Sequence, residues 1–193
     1  MRLLLHGQLE RDGYCRLLRN LHAIYVTLEA GLTEHVHDPG LACLSCVAMF
    51  RSDALNDDLT LLHGPNWAEE IAIERAAIAY AAHLQALANG TPLALAAHAY
   101  VRYLGDLSGG QILARIVAKS LGLVPREGVR FYDFGSSEDV VRQAKAFRFG
   151  LDQLTDDEVS AQMIVDEACA AFVRHRDLFE QLAPMSSAYL QTP

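Results

Sequence analysis

At 193 residues the chain is long enough for one domain with a sizeable core and too short for two ordinary ones, so a single domain over residues 1–193 is expected. Hydrophobic residues make up 51% and charged residues 21%, which excludes a disordered chain. The formal net charge of −8 argues against a nucleic-acid partner, because phosphate neutralisation needs a basic surface, and any anionic ligand must find a local basic patch.

The start, "MRLLLHGQLERDGYC", has a short apolar run without a small-residue cleavage site and does not read as a secretory signal. No later run approaches the roughly 20 apolar residues of a membrane span, so a cytoplasmic protein without membrane attachment is expected, its four cysteines free thiols. From Arg11 to Ala30, the residues Tyr14, Leu17, Leu18, Leu21, Ile24, Tyr25 and Leu28 recur at steps of three and four, the pattern of an amphipathic helix. Pro39 with Gly40, and Gly64 with Pro65, mark turns between helices. The alanine-rich stretch from Ala68 to Gly90 predicts a helix ended by Asn89 and Gly90, and Thr91 with Pro92 starts the next.

Residues 121–139, "LGLVPREGVRFYDFGSSED", are the one stretch with strand-like or loop-like composition, and a helix capped at Ser136 or Ser137 follows. The last helix opens on a capping box from Thr155 to Glu158 and is expected to turn Val159, Met163, Ile164, Ala168, Phe172, Phe179 and Leu182 inward. Alternating strands are lacking, and the fold class is all-α, a multihelical single domain.

The segment "AHAYVRYLGDLSGGQILARIVAKSLGL", residues 97–123, places Gly105, Gly109 and Gly110 inside helix-forming sequence, at a cost of roughly 3 kcal/mol relative to alanine. Gly105 and Gly109 are four apart and share one helical face, which leaves a strip of bare backbone. Close packing of another helix, an ordinary break between helices, or close approach of a flat ligand each accounts for such a strip. A phosphate loop does not, because "GDLSGGQ" lacks the lysine after its glycines. Asp106 borders the strip with Arg102 four residues earlier, either as a surface ion pair or as a carboxylate that orders water in an apolar pocket.

The twelve residues "YVRYLGDLSGGQ", Tyr100 to Gln111, resemble the signature of the haem oxygenases. The likeness extends to "LRNLHAIYVTLEA", "LLHGPNW" and the final "DEACAAFVRHRDLFEQL", nearly the whole chain. It implies an all-helical fold in which haem, at once substrate and cofactor, lies between a proximal helix and a glycine-kinked distal helix. The implied reaction is oxidative cleavage to biliverdin, carbon monoxide and ferrous iron, with electrons from an external donor such as a ferredoxin or a flavin reductase. Gly105, Ser108 and Gly109 would lie against the porphyrin. Asp106 would hold a water network that donates hydrogen bonds to iron-bound hydroperoxide, with Tyr25 joining through its hydroxyl and Arg102 supporting from further out. Arg148, Lys145 and Tyr100 would bind the propionates; Arg142 lies on the same helical face as the two cations, where a solvated role is the alternative.

The family's axial histidine lies upstream of a stretch similar to "MRLLLHGQL", where this sequence has Met1 as its first residue, so that position has no counterpart. None of the eight histidines is a matched substitute: His6 falls on the right side of the chain but well after the family position, and a non-catalytic haem-binding protein is the alternative function. His22, His83, His98 and His175 read as helix residues in packing or hydrogen-bonding roles. In "HVHDPGLACLSC", His35, His37, Cys43 and Cys46 have ligand-type side chains, but the spacing is tight and a second C-x-x-C is lacking, so no metal ligand is assigned.

Overall fold

The computed structural model describes residues 10–44, 46–124 and 126–183, and among them there is no strand. The elements are α1 (Arg11–Glu34), α2 (Ser52–Leu62), α3 (Arg75–Gly90), α4 (Leu95–Ala99), a π-helical turn (Tyr100–Leu104), α5 (Gly105–Leu121), α6 (Ser137–Leu151) and α7 (Glu158–Leu182). None of the described helices is long and apolar enough to cross a membrane.

The apolar stripe of α1 is the centre of the core. Tyr14, Leu18, Ile24, Tyr25 and Leu28 are fully buried, and α1 packs along both α2 and α3. Two close approaches fix the remaining layers. Gly31 of α1 leaves room for Leu95 and Ala88, and a Cβ on Gly150 of α6 would meet the Cys43 carbonyl oxygen at 2.1 Å. Alanine at 150 therefore cannot be accommodated without moving the 3₁₀ turn Leu41–Leu44, against which α6 packs. At the far end of α5, Gly122 takes the left-handed conformation at φ 62°, and the Leu123 amide donates back to the Ala118 carbonyl.

Several predicted boundaries shift. The helix expected from Ala68 runs for one turn, Trp67–Glu70, then the chain is extended until α3 begins at Arg75. Tertiary bonds from α1 hold that interruption: Arg19 donates to the Ala68 and Ile71 carbonyls, and the Asn20 side-chain oxygen accepts from the Glu74 amide. The Ser136 cap forms as a reciprocal box with Asp139. The last helix is capped not by Thr155 but by Asp157, which accepts from the Ser160 amide, while Thr155, two residues earlier, accepts from the Asp157 amide. Its inner face is Ala171, His175 and Leu178, with the expected Ile164, Phe179 and Leu182 packed against the core, whereas Val159 and Phe172 are exposed. The loop-like 121–139 segment contains a 3₁₀ turn at Arg130–Tyr132, held by the buried Asp58 carboxylate, which accepts from the Arg130 and Phe131 amides.

Candidate functional site

The backbone is helical straight through the glycines. Gly105 has φ −62° and ψ −48°, and the irregularity falls one turn earlier, in the π-turn Tyr100–Leu104. A π-turn widens the helix by one residue per turn and re-aims the side chains beside it. Here it carries Arg102 and Tyr103 into the core, both buried, and Asp106 follows at the first turn of α5.

The three glycines divide by face. A Cβ on Gly110 would touch Tyr132 at 3.5 Å, so that glycine serves packing. A Cβ on Gly105 or Gly109 would meet nothing within 4 Å among the described residues. Among the described residues, helix packing therefore does not account for the strip, and open space lies in front of the bare backbone. Ser108 beside it is exposed, and its hydroxyl donates to the Leu104 carbonyl at 2.6 Å.

Next to the strip, Tyr25, Arg102 and Asp106 form one bonded group. The Tyr25 hydroxyl donates to Oδ2 of Asp106. Arg102 donates from Nε to the Tyr25 hydroxyl at 3.0 Å and from a terminal nitrogen to Oδ1 of Asp106 at 3.1 Å. The Arg102–Asp106 pair is thus no surface ion pair, since the two side chains are only 11% and 12% exposed. Arg102 also stands closer than a supporting position implies, touching both other members directly. Burial pushes the Asp106 carboxyl above the ordinary range, while Arg102, Tyr25 and Arg51 pull it down. Burial likewise opposes the Arg102 charge, but Asp106 and Tyr25 outweigh it and hold the guanidinium protonated. Burial raises the Tyr25 phenol well above its usual value, so it stays a donor.

Behind this group lies a second polar layer that helical spacing does not assign to the site. A third side of the Arg102 guanidinium faces the His175 ring at 3.3 Å, and the Tyr80 hydroxyl joins His98 Nδ1 at 2.8 Å. A signal for His175 exists in the sequence, because it sits at steps of four and three from Ala171 and Leu178, on the buried stripe of α7. Burial first, then the Arg102 charge, pushes His175 down to about 2, so it is neutral in the folded protein and accepts from Arg102. The unfolded chain protonates this residue below about pH 6.5 and the folded chain does not, so its contribution to stability is present above that pH and lost as pH falls. Replacing His175 by Asn, which keeps an acceptor, should flatten the fall in unfolding free energy between pH 6.5 and 5 by up to about 1.4 kcal/mol per pH unit. Parallel denaturant titrations of the two proteins measure this, and equal slopes would refute the buried neutral imidazole.

The other predicted residues stand apart. Tyr100 is 41% exposed. Lys145 and Arg148 are exposed on α6 and make no ion pair or hydrogen bond among the described residues, while Arg142 pairs with Asp139. His6 lies outside the described residues. His35, His37, Cys43 and Cys46 do not converge: His35 Nε2 bonds the Ala88 carbonyl and the Cys43 thiol points at the Pro39 carbonyl.

The profile of the family described as Heme oxygenase matches residues 1–181. The chain belongs to the haem oxygenase family. Relatives within this family include a "Heme oxygenase 1" of Nostoc sp., 35% identical over 178 residues, covering 92% of this chain and 75% of the relative. A "Heme oxygenase 2" of Synechocystis sp. is 37% identical over 191 residues, covering 97% and 76%. Among solved structures, heme oxygenase-2 from Synechocystis sp. in complex with heme and NO superposes with a TM-score of 0.90 at 36% identity, covering 94% of this chain and 76% of that one. The heme oxygenase of Leptospira interrogans gives 0.88 at 30% identity, covering 93% and 88%. The haem oxygenase fold is therefore the framework in which the glycine strip and the Tyr25–Arg102–Asp106 group stand.

Proposed function

We propose that the chain binds haem against the Gly105–Gly109 strip and cleaves it to biliverdin, carbon monoxide and ferrous iron, haem being both substrate and cofactor. The observation that carries this reading is a bonded carboxylate, phenol and guanidinium beside bare backbone that faces open space. Bound haem supplies the iron at which oxygen is reduced and the ring carbon that is oxidised.

The residues of the chain supply position and protons. With neither Gly105 nor Gly109 presenting a Cβ, a flat ring can lie in van der Waals contact with the main chain, and burial of that ring offsets the helix cost of the glycines. Asp106 accepts from Tyr25 and Arg102, and its remaining lone pairs can accept from water. A water so held has its second proton directed away from the carboxylate, as a donor towards the ligand space. Arg102 fixes both partners at once, so the carboxylate does not have to reorganise during the reaction. Tyr100, Lys145 and Arg148 are our candidates for the propionates, as exposed groups of the right chemistry. Electrons come from an external donor of the ferredoxin or flavin reductase kind, and the free thiols Cys15, Cys43, Cys46 and Cys169 suit a reducing cytoplasm.

The test is a haem titration of the 193-residue chain followed by reduction under oxygen, watching the Soret band and the biliverdin region together. A saturable Soret shift and then biliverdin absorption are expected, with Gly109→Leu weakening the first step by filling the strip. Absence of a Soret shift refutes the haem site, and saturable binding without biliverdin refutes turnover by this chain.

A further inference from the structure

His83, His98 and Glu167 come from three helices, α3, α4 and α7, and their tips converge at the flank of the bundle. Nε2 of His83 lies 2.7 Å and Nε2 of His98 lies 2.9 Å from the same atom, Oε1 of Glu167. The three ligand-type atoms all lie within 4.8 Å of one another, the one such group among the described residues. The haem chemistry proposed above uses none of the three. We propose that this trio is a binding site for a divalent transition-metal cation, with zinc as the ion its donors fit.

Two imidazole nitrogens and one carboxylate oxygen are a donor set that suits zinc, with a fourth position left for water. The site has a closed side and an open one. His98 is fully buried, while the His83 and Glu167 side chains are 25% and 18% exposed, so an ion and its water can enter from solvent. His98 is also braced from behind, since its Nδ1 is 2.8 Å from the Tyr80 hydroxyl. When Nε2 binds a metal, the ring proton resides on Nδ1 and is donated to Tyr80, the outer-shell bond that usually fixes a ligating imidazole. The Tyr80 hydroxyl then turns its own proton to His175 Nε2, at 3.5 Å, the one acceptor nitrogen of that neutral ring, which it shares with Arg102 at 3.3 Å.

Tetrahedral zinc with bonds near 2.1 Å needs donor atoms about 3.4 Å apart, so the carboxylate oxygen must draw back from the imidazoles by roughly half an ångström, and the two imidazole nitrogens, within 4.8 Å of each other, must close by up to about 1.4 Å. Rotation of the partly exposed His83 and Glu167 side chains towards the fixed His98 provides both movements. Arg174, on the same helix, is near enough to act on His98 and Tyr80 and is the charge that opposes a cation here. Glu167 is the countercharge at the ion itself. An ion held by these ligands would tie α3 and α7 to α4, the helix that leads through the π-turn to Asp106.

The experiment uses the full chain, stripped with a chelator and free of haem. Zinc is titrated against a chromophoric competitor, and cobalt(II) is followed through its visible absorption bands. One saturable equivalent of each is expected, with His83→Gln weakening zinc binding about a hundredfold and Glu167→Gln doing likewise, while circular dichroism confirms that both variants fold. The double change Cys43→Ser with Cys46→Ser should leave the affinity unaltered. Lack of a saturable equivalent overturns the site, as does binding that survives His83→Gln or disappears in the cysteine variant.

Discussion

Asp106→Ala should bind haem within a few-fold of the unaltered chain yet form biliverdin about a hundredfold more slowly, or divert the reduced oxygen to other products. On the proposed reading, binding survives because the ring would be held by contact with the Gly105–Gly109 backbone and by cations elsewhere, and Asp106 supplies neither. Turnover suffers, on the same reading, because the preorganised carboxylate that would order a water is lost from the place where a proton donor is needed, and removing one such group typically costs 10²–10³ in rate, about 3–4 kcal/mol. The exact partners sharpen the expectation. Without the carboxylate, the Tyr25 hydroxyl loses its acceptor and the Arg102 fork keeps only Tyr25 and His175, so the group cannot keep its arrangement. Single-turnover spectra of the haem complex under oxygen and reductant read both quantities, and a normal biliverdin yield from the variant would remove Asp106 from the mechanism.

How far the sequence reveals this site depends on the kind of interaction. The stripe of α1 and the Ser136 cap are local patterns, set by side-chain spacing and by one short hydrogen-bonded box, and both are legible. The bare face at Gly105 and Gly109 is legible as a face, but what confronts it is not. Spacing leaves helix packing and ligand approach open, and the three-dimensional path of the chain sends Gly110 to Tyr132 while leaving Gly105 and Gly109 uncovered by any described residue. The helix start at Arg75 is illegible because Arg19 and Asn20, more than fifty residues earlier, hold the preceding segment extended. The inward face of α7 is legible in Ile164, Phe179 and Leu182, which pack against the core, and is misjudged in part for a related reason. A stripe search favours Val159 and Phe172, whereas the residue the core takes is His175, a polar side chain whose partner Arg102 lies on another helix. Motif resemblance assigns Tyr25, Arg102 and Asp106 one by one; the fold is what makes them a single bonded unit.

That unity gives Arg102 an expected effect on stability as well as on turnover. Arg102→Met keeps much of the buried volume but strands the Asp106 carboxylate, 12% exposed, beside a phenol that can satisfy only one of its oxygens. Breaking a buried pair by removing one partner typically costs 3–5 kcal/mol, most of it from the charge left behind, and the same loss is expected here in denaturant unfolding. A double-mutant cycle separates this from lost packing. In Arg102→Met with Asp106→Asn the stranded charge is gone, so the double variant should recover a substantial part of the loss, with a coupling of 1 kcal/mol or more, order of magnitude. Packing alone would make the two losses additive. Arg102→Lys completes the argument: it keeps the charge but cannot donate to Tyr25, Asp106 and His175 together, so it should restore much of the stability while leaving biliverdin formation slow. Recovery of full turnover by lysine would mean that the charge suffices, and that the fork which joins phenol to carboxylate is dispensable.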